Sequence, residues 1–195
     1  MTLEYYLTRV ILPRYSKFDS AHSIDHGKMV MESCIKMARK LRLSENIAMT
    51  CGAFHDLGLS RGREGHELRG GKIVREDKFL HLWFNTEDIE IIAQAVEDHR
   101  STLNGEPRSI YGKILSDSDR IVDPKIVIPR CIGYQRENYP SETEEEIITR
   151  AYEYLRNKYG PGGRVKLWIS GTNKEKELNH LRSVLRDKKL FKKYI

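Results

Sequence analysis

Few cysteines and no long hydrophobic run occur in this sequence, and each absence excludes a class of protein. The three cysteines, Cys34, Cys51 and Cys131, are an odd number at wide spacing, which fits neither a zinc-binding CxxC pair nor a disulfide framework. No stretch approaches the roughly 18 apolar residues that a membrane-spanning helix needs, and the N-terminal residues lack the pattern of a signal peptide. We therefore expect a cytoplasmic protein with reduced thiols and no membrane partner.

Three familiar functional patterns are also missing. GREGHELRGGK, residues 62–72, contains glycines and lysine, but its spacing does not fit the phosphate-binding GxxxxGK[ST] loop. No GxSxG serine turn and no cysteine–histidine nucleophile arrangement is found. ATP-driven chemistry and covalent catalysis by serine or cysteine are therefore not expected.

Strand-like alternation is almost absent as well. VKLWIS, residues 165–170, is the best strand candidate and is short. Elsewhere, hydrophobic residues recur at spacings of three and four, as on one face of an α-helix. Because short loops join these segments, the pattern predicts an all-α bundle in one domain.

The predicted helices begin and end at recognisable residues. One covers about 24–42, where Val30, Cys34 and Leu41 share a face. Ser44 is expected to cap the next helix. Gly52 in that helix costs about 1 kcal/mol relative to alanine, which close approach of another helix or of a ligand would justify. Further helices are predicted from 64–66 to about 78, from a cap at Thr86, over 110–122, as a short helix after Pro124, after Ser141 in the capping-box pattern SETE, and around Leu178–Leu185.

The net charge of +6 favours anionic partners such as nucleotides or phosphates. Much of the excess lies in RSVLRDKKLFKKYI, residues 182–195, and a terminal run of charge is usually a solvated helix face. Charge alone is therefore weak support for any function.

Histidines and aspartates fall on the inner faces of the predicted helices. His26 precedes Val30 by four residues, and His99 follows Val96 by three, so each imidazole shares a face with core residues. The full inward set is His26, His55, Asp56, His66, His99, Asp117 and Asp119. A single inward histidine is usually a hydrogen-bonded core residue, but burying unpaired carboxylates costs several kcal/mol. A divalent cation shared by imidazoles and carboxylates removes that cost, and the mixed nitrogen and oxygen donors favour Mn, Fe, Ni, Co or Zn over calcium.

Three segments, AHSIDHGKMV, FHDLG and SDSDRIVD, resemble the HD-domain superfamily of metal-dependent phosphohydrolases, whose pattern is His, then His-Asp, then a distant Asp. The resemblance implies a compact HD-domain helical bundle with additional C-terminal helices. We expect a single domain over residues 1–195, with an HD core of about 18–135 and a helical extension of about 136–195.

The resemblance also implies roles for individual residues. His26, His55, Asp56 and Asp119 would bind one divalent metal ion, and Asp56 would be the catalytic residue. The family's last ligand precedes a basic residue, as Asp119 precedes Arg120, so Asp119 is preferred to Asp117. Asp117 would be the ligand if the alignment were shifted by two residues.

Substrate contacts are implied less directly. His66 and His99 match positions where HD hydrolases often carry histidines, which bind a second metal in some branches and the substrate phosphate in others. The phosphate role is favoured here. Arg61 lies in a glycine-containing loop, and Lys113 lies six residues before Asp119, so both are candidate phosphate contacts. Further candidates are Arg63 as a phosphate contact, Glu64 or Asp98 as a proton relay, and His22 as either a neighbour of the site or a solvated loop residue.

The implied activity is hydrolysis of a phosphate ester or anhydride by a metal-activated water, with magnesium as a further ion in the substrate complex. The expected partner is a nucleotide or a related small phosphorylated molecule, as for a nucleotidase, nucleotide pyrophosphatase or phosphodiesterase. The alternative is a non-catalytic, metal-stabilised helical module that binds RNA or a protein partner through its basic C-terminal region. The complete ligand set favours the enzyme, so nucleic acid is not the expected partner. The helices after residue 140 could also form a homodimer surface.

Overall fold

Helices make up the regular structure of the described residues, which are 1–19, 22–100 and 105–195 of this computed structural model. The prediction of an all-α fold is therefore confirmed. VKLWIS is not a strand, because no other described segment forms a strand to which its backbone groups could bond. Its first residue instead donates a hydrogen bond from Val165 N to Lys158 O at 3.0 Å.

The chain divides into two compact units, residues 1–119 and 120–195. This boundary comes before residue 136, where the sequence analysis places the start of the C-terminal extension, and the single-domain assignment stays a prediction. No helix in the described part of the chain has both the length and the apolar character needed to cross a membrane.

The first unit contains six α-helices among its described residues. They are α1 (Leu3–Tyr6), α2 (Ile24–Lys40), α3 (Glu45–Phe54), α4 (His66–Glu76), α5 (Thr86–Asp98) and α6 (Ile110–Asp119). The helical path of α1 continues as a π-turn over Leu7–Ile11 and a 3-10 segment over Leu12–Lys17. Two further 3-10 segments cover Leu57–Arg61 and Lys78–Leu82.

Close packing of α2 against α3 depends on Gly52. A β-carbon built at this position would lie only 2.6 Å from Cα of Met31, so the backbones could not keep their present separation. The predicted reason for a glycine in mid-helix, close approach of another helix, is confirmed. Ser23 and Ser44 cap the two helices by accepting hydrogen bonds from the amides of His26 and Ile47.

Two helix boundaries in the first unit differ from prediction. The cap of α5 is Asn85, whose side chain accepts a hydrogen bond from the amide of Asp88, whereas the sequence pattern predicts Thr86. Asparagine is the stronger N-cap residue of the two. The helix α6 ends at Asp119, earlier than the predicted end at residue 122, which leaves Asp119 at a helix terminus.

The second unit has its own hydrophobic core. Its helices are α7 (Pro124–Asn138), α8 (Glu144–Tyr159), α9 (Asn173–Val184) and α10 (Lys188–Phe191). Leu181, Leu185 and Phe191 are fully buried in that core. The helix after Pro124, predicted to be short, has 15 residues. The capping box of α8 uses Thr143 and Glu146, two residues after the predicted pair.

Candidate metal centre

The predicted ligands stand at helix ends of the first unit. His55 and Asp56 directly follow α3, and His99 directly follows α5. His66 is the first residue of α4, and Asp119 is the last residue of α6. His26 lies in the first turn of α2. Helix ends leave backbone groups without helical partners, so side chains placed there can bond to the backbone and be held in position.

Four of these residues form a first cluster. Nε2 of His26 lies 3.2 Å from Nε2 of His55 and 3.2 Å from Oδ1 of Asp119. Oδ2 of Asp56 lies 3.1 Å from Nε2 of His55 and 3.7 Å from Nε2 of His26. The structure therefore brings together the four residues expected to bind one ion.

The second carboxylate oxygen of Asp56 faces two other histidines. Oδ1 lies 3.5 Å from Nε2 of His66 and 3.7 Å from Nε2 of His99. Both rings are buried, and they lie edge to face with centroids 5.3 Å apart. Asp56 is thus shared by two groups of potential ligands, one at each oxygen.

Three imidazoles are oriented by the same local hydrogen bond. Nδ1 of His55, His66 and His99 lies 2.7, 2.8 and 2.6 Å from the carbonyl oxygen three residues earlier, in Gly52, Arg63 and Val96 respectively. A carbonyl oxygen only accepts, so Nδ1 carries a proton in each ring. In the neutral ring the lone pair is then on Nε2, which faces Asp56, as in histidine ligands of metals.

The imidazoles and carboxylates of the first cluster shift one another's pKa values. Burial lowers the pKa of His55, but the Asp56 and Asp119 carboxylates outweigh it and raise the pKa to about 9. Burial raises the pKa of Asp56, but interactions with His55 and His99 outweigh it and hold that pKa well below its usual range. Without a cation, His55 is therefore protonated at neutral pH. A metal ion would replace this proton as the positive charge between the carboxylates.

In the second group, which consists of Asp56, His66 and His99, the pKa of His66 shifts in the opposite direction to that of His55. Burial lowers the pKa of His66, so its Nε2 carries a lone pair at neutral pH. The ring can therefore act as a ligand without first losing a proton.

These distances fit a transition-metal site. Nitrogen and oxygen ligands lie about 2.0–2.2 Å from such an ion, so ligands at neighbouring corners of its polyhedron are about 3–3.5 Å apart. The separations of 3.1–3.7 Å around Asp56 Oδ2 and the two nearest imidazoles are close to that range. Ligand atoms of His26, His55 and Asp56 all lie within 4.8 Å of one another, and so do those of Asp56, His66 and His99. The donor set fits a divalent metal ion at either group.

Comparison with known families places both clusters within one matched domain. The HD-domain family model matches residues 23–122, a span that contains every residue of both clusters. The chain belongs to the HD-domain family. No curated protein matches the chain.

The HD fold is also found in a solved structure. The crystal structure of a predicted HD superfamily hydrolase from an uncultured Thermotogales bacterium has a TM-score of 0.53 and is 20% identical. The alignment covers 76% of this chain and 84% of that chain. At this identity the likeness supports the fold only.

Asp117 and Asp119 differ in their position relative to the first cluster. Asp119 contacts the first cluster, while Asp117 is fully buried on the same helix. Residues two apart in an α-helix project about 200° from each other, so the two carboxylates do not face the same side. The geometry favours Asp119 as the distal ligand.

Three further residues predicted from the sequence are Arg61 and Lys113, as phosphate contacts, and Asp98, as a proton relay. Arg61 is exposed at the end of the 3-10 segment after the HD doublet. Lys113 forms an ion pair with Glu106, so it is not held toward the clusters. Asp98 accepts hydrogen bonds from the backbone and side chain of Arg108, at 2.7–3.0 Å. This engagement argues against Asp98 as a mobile proton relay.

Two residues near the HD doublet, Tyr15 and Arg69, are not indicated by the sequence. Tyr15 is fully buried, and its hydroxyl lies 3.2 Å from Nδ1 of His55. Arg69 donates hydrogen bonds to the carbonyls of Gly58, Gly62 and Glu64, which fixes the loop that carries Arg61. No sequence pattern indicates either residue, because their partners include backbone groups. Those groups lie in segments that are distant in the chain or irregular in structure. Arg63, which the sequence suggests as a phosphate contact, also approaches His22. Its Nη2 lies 3.4 Å from Nε2 of that ring.

Proposed function

We propose that this protein is a metal-dependent phosphohydrolase that cleaves a phosphate ester or anhydride in a nucleotide or a related small phosphorylated molecule. The observation that carries the proposal is the convergence of His26, His55, Asp56 and Asp119 at separations suited to one cation. A bound divalent ion supplies Lewis acidity toward a phosphoryl oxygen and lowers the pKa of water. Membership of the HD-domain family supports this reaction class.

The chain's own residues would hold and orient the reacting groups. Asp56 is the proposed catalytic residue, because its two oxygens face both histidine groups. The backbone bonds from Nδ1 of His55, His66 and His99 hold three rings in fixed orientations. Fixed ligands act without reorganising during the reaction, which is where electrostatic catalysis gains most.

We further propose that His66 and His99 act at the substrate phosphate through a second cation. Their Nε2 atoms and Oδ1 of Asp56 form a separate group of three possible ligands. A cation there would bring positive charge to phosphoryl oxygens, as in two-metal phosphate sites. Direct contact of the two imidazoles with the phosphate is the other arrangement, and metal stoichiometry distinguishes them.

Arg61 and Arg63 are the proposed phosphate contacts from the loop after the HD doublet. Both are exposed, and Arg69 holds the loop through three carbonyls. A guanidinium can bind phosphate through two parallel hydrogen bonds. Lys113 is a weaker candidate, because Glu106 already neutralises it.

The test combines metal analysis with a substrate panel. Purified protein is assayed for bound metal and for hydrolysis of p-nitrophenyl phosphate, bis-p-nitrophenyl phosphate and nucleotides, with and without Mn²⁺. His55→Ala and Asp56→Ala are expected to lose both metal and turnover, while His81→Ala, an exposed histidine of the same unit, keeps both. A metal-loaded, active Asp56→Ala variant would contradict the site assignment.

One observation favours the alternative function, a module that binds RNA through its basic C-terminal region. Residues 120–195 contain 17 lysines and arginines and 10 aspartates and glutamates, a net charge of +7, whereas residues 1–119 have a net charge of −1. Tyr154 is 43% exposed, and Lys158 and Arg164 lie 5.8 and 5.9 Å from its ring centre. Exposed aromatic rings beside cations can stack with unpaired bases.

The alternative has its own test. Binding of single-stranded RNA is measured at several salt concentrations, and a steep fall of log affinity with log salt supports it. Tyr154→Ala should then weaken binding more than removal of one distant lysine. Turnover of a phosphorylated substrate without RNA binding would support the hydrolase alone.

A further inference from the structure

A buried phenol hydroxyl lies directly behind the His55–Asp56 doublet. The hydroxyl of Tyr15 donates a hydrogen bond to the carbonyl of Ala53 at 3.1 Å and accepts one from the amide of Asp56 at 3.2 Å. It also lies 3.2 Å from Nδ1 of His55. Since Nδ1 carries a proton that it shares with the carbonyl of Gly52, the hydroxyl is placed to accept from this ring as well. A hydroxyl has one proton and two lone pairs, so these contacts use its full capacity.

Tyr15 comes from a part of the chain that the family pattern does not include. It lies in the 3-10 segment Leu12–Lys17, before residues 23–122, which match the HD-domain model. The ring is held by packing: a β-carbon at Gly27 would lie 3.3 Å from Tyr15 Cε1 and 2.9 Å from Leu12 Cδ2. Phe18 contacts the ring edge to face, with centroids 5.4 Å apart. The phenol is therefore fixed against α2 as well as against the doublet.

The doublet needs such support because α3 ends at Phe54, immediately before it. After a helix end, the last carbonyls and the following amides lack regular helical partners. Asp56 has left the helical conformation, with φ −104° and ψ 5°. Its amide uses the Tyr15 hydroxyl as acceptor, and the same hydroxyl satisfies the carbonyl of Ala53. One side chain thus fixes the backbone on both sides of His55.

We propose that Tyr15 is a positioning residue of the metal centre, whose hydroxyl fixes the His55–Asp56 doublet so that both side chains present their ligand atoms to one cation. This role rests on the proposed function only in requiring that a metal binds. The hydroxyl of Tyr15 contacts Nδ1 of His55 and backbone groups, so it acts through the two ligands rather than on substrate.

The experiment compares two phenol-to-phenyl substitutions in the same unit. Tyr15→Phe keeps the ring and removes the hydroxyl. Tyr111→Phe is the matched control, because the Tyr111 hydroxyl accepts from the amide of Ser44 at 3.0 Å, at the opposite end of α3. Co²⁺ is titrated into the metal-free forms of wild type and both variants, and the affinity and visible spectrum are recorded together with the thermal unfolding of each metal-free form.

We expect Tyr15→Phe to bind Co²⁺ about 10–100-fold more weakly than wild type, the usual loss when a group that orients a ligand is removed. Tyr111→Phe should keep wild-type affinity and spectrum, even if both variants unfold at a lower temperature. Wild-type affinity and spectrum in Tyr15→Phe would overturn the role. If wild type binds no Co²⁺, the proposed function fails, and the role of Tyr15 fails with it. If wild type and Tyr15→Phe bind Co²⁺ equally well, only the role of Tyr15 fails.

A measurement on wild type covers the case in which Tyr15→Phe does not fold. Long-range ¹H–¹⁵N spectra of the metal-loaded protein should show His55 protonated at Nδ1, and the Tyr15 hydroxyl proton should exchange slowly enough to give its own signal. A ring protonated at Nε2, or a hydroxyl proton in rapid exchange with water, would contradict the hydrogen bonds on which the role depends.

Discussion

Oδ1 of Asp56 lies 3.5 Å from Nε2 of His66. The other oxygen of the same carboxylate is 3.1 Å from Nε2 of His55. If each oxygen faces its own cation, His66→Ala should lower the metal content of the loaded protein from two ions to one per chain, and Asp56→Ala should remove both. Elemental analysis after equilibration with Mn²⁺ or Zn²⁺ measures this, with His81→Ala as control. Unchanged stoichiometry in His66→Ala, with a raised KM, would instead indicate direct contact with the phosphate.

The two aspartates near the end of α6 give a second prediction. Asp119→Asn should abolish metal binding at the first cluster, because it removes the charge beside Nε2 of His26. Asp117→Asn should retain the metal, since the helix directs residue 117 to another side. Calorimetric titration with Mn²⁺ on the metal-free forms compares the two. Loss of metal in Asp117→Asn with retention in Asp119→Asn would reverse the assignment.

Two glycines inside helices should respond to alanine in opposite ways. Gly52→Ala places a methyl group 2.6 Å from the Met31 backbone, and we expect it to destabilise the protein by about 1–3 kcal/mol. Gly133, in α7, has no atom within 4 Å of an added β-carbon, so Gly133→Ala should stabilise by about 0.5–1 kcal/mol. Urea unfolding curves measure both changes. Similar effects of the two substitutions would contradict the described packing of α2 on α3.

The sequence predicts much of this architecture because both its fold and its ligands follow helix periodicity. Spacing from core residues predicts that His26, His55 and His99 lie on inner helix faces, and those faces meet in the structure. Periodicity cannot predict distances, so it could not show that the two oxygens of Asp56 face different histidines. It also overlooks Tyr15, whose partners at Ala53 and Asp56 are backbone groups that exist in every residue.

Helix boundaries were less predictable for a related reason. The stretch SETEEE contains two overlapping capping boxes, one starting at Ser141 and one at Thr143, and the local pattern fits both. In the structure Glu142 forms an ion pair with Arg150, in the second turn of α8, and Thr143 is the cap. Local spacing alone does not distinguish between these two equivalent patterns.

An acid-dependent contribution to stability is expected where α4 packs on α5. Hydrogen bonding to the Arg75 guanidinium lowers the pKa of Glu90 to about 2, below the value of about 4.3 in an unfolded chain. This pair therefore stabilises the fold above about pH 4.3, and the contribution is lost as the pH falls through 2. Because Glu90 is 44% exposed, solvent screening should keep the effect below about 1 kcal/mol.

Glu90→Gln tests this contribution. The variant should be slightly less stable than wild type in urea unfolding at pH 7, and the difference should disappear near pH 2. Added salt at pH 7 should reduce the difference as well. A difference that persists unchanged at pH 2 would show that packing, not charge, accounts for it.

The carbonyls of Gly52, Arg63 and Val96 hold three imidazoles through bonds that span only three residues of chain. The bonds of His55 and His99 lie at the ends of α3 and α5, and that of His66 lies just before α4, so we expect each ring to be held in place before any ion arrives. Chelation should therefore leave the helical content intact, unlike in zinc fingers, which unfold without their metal. Capture of the ion would then be limited by how quickly it sheds water and reaches the interior, and the metal-free protein could be reloaded without refolding.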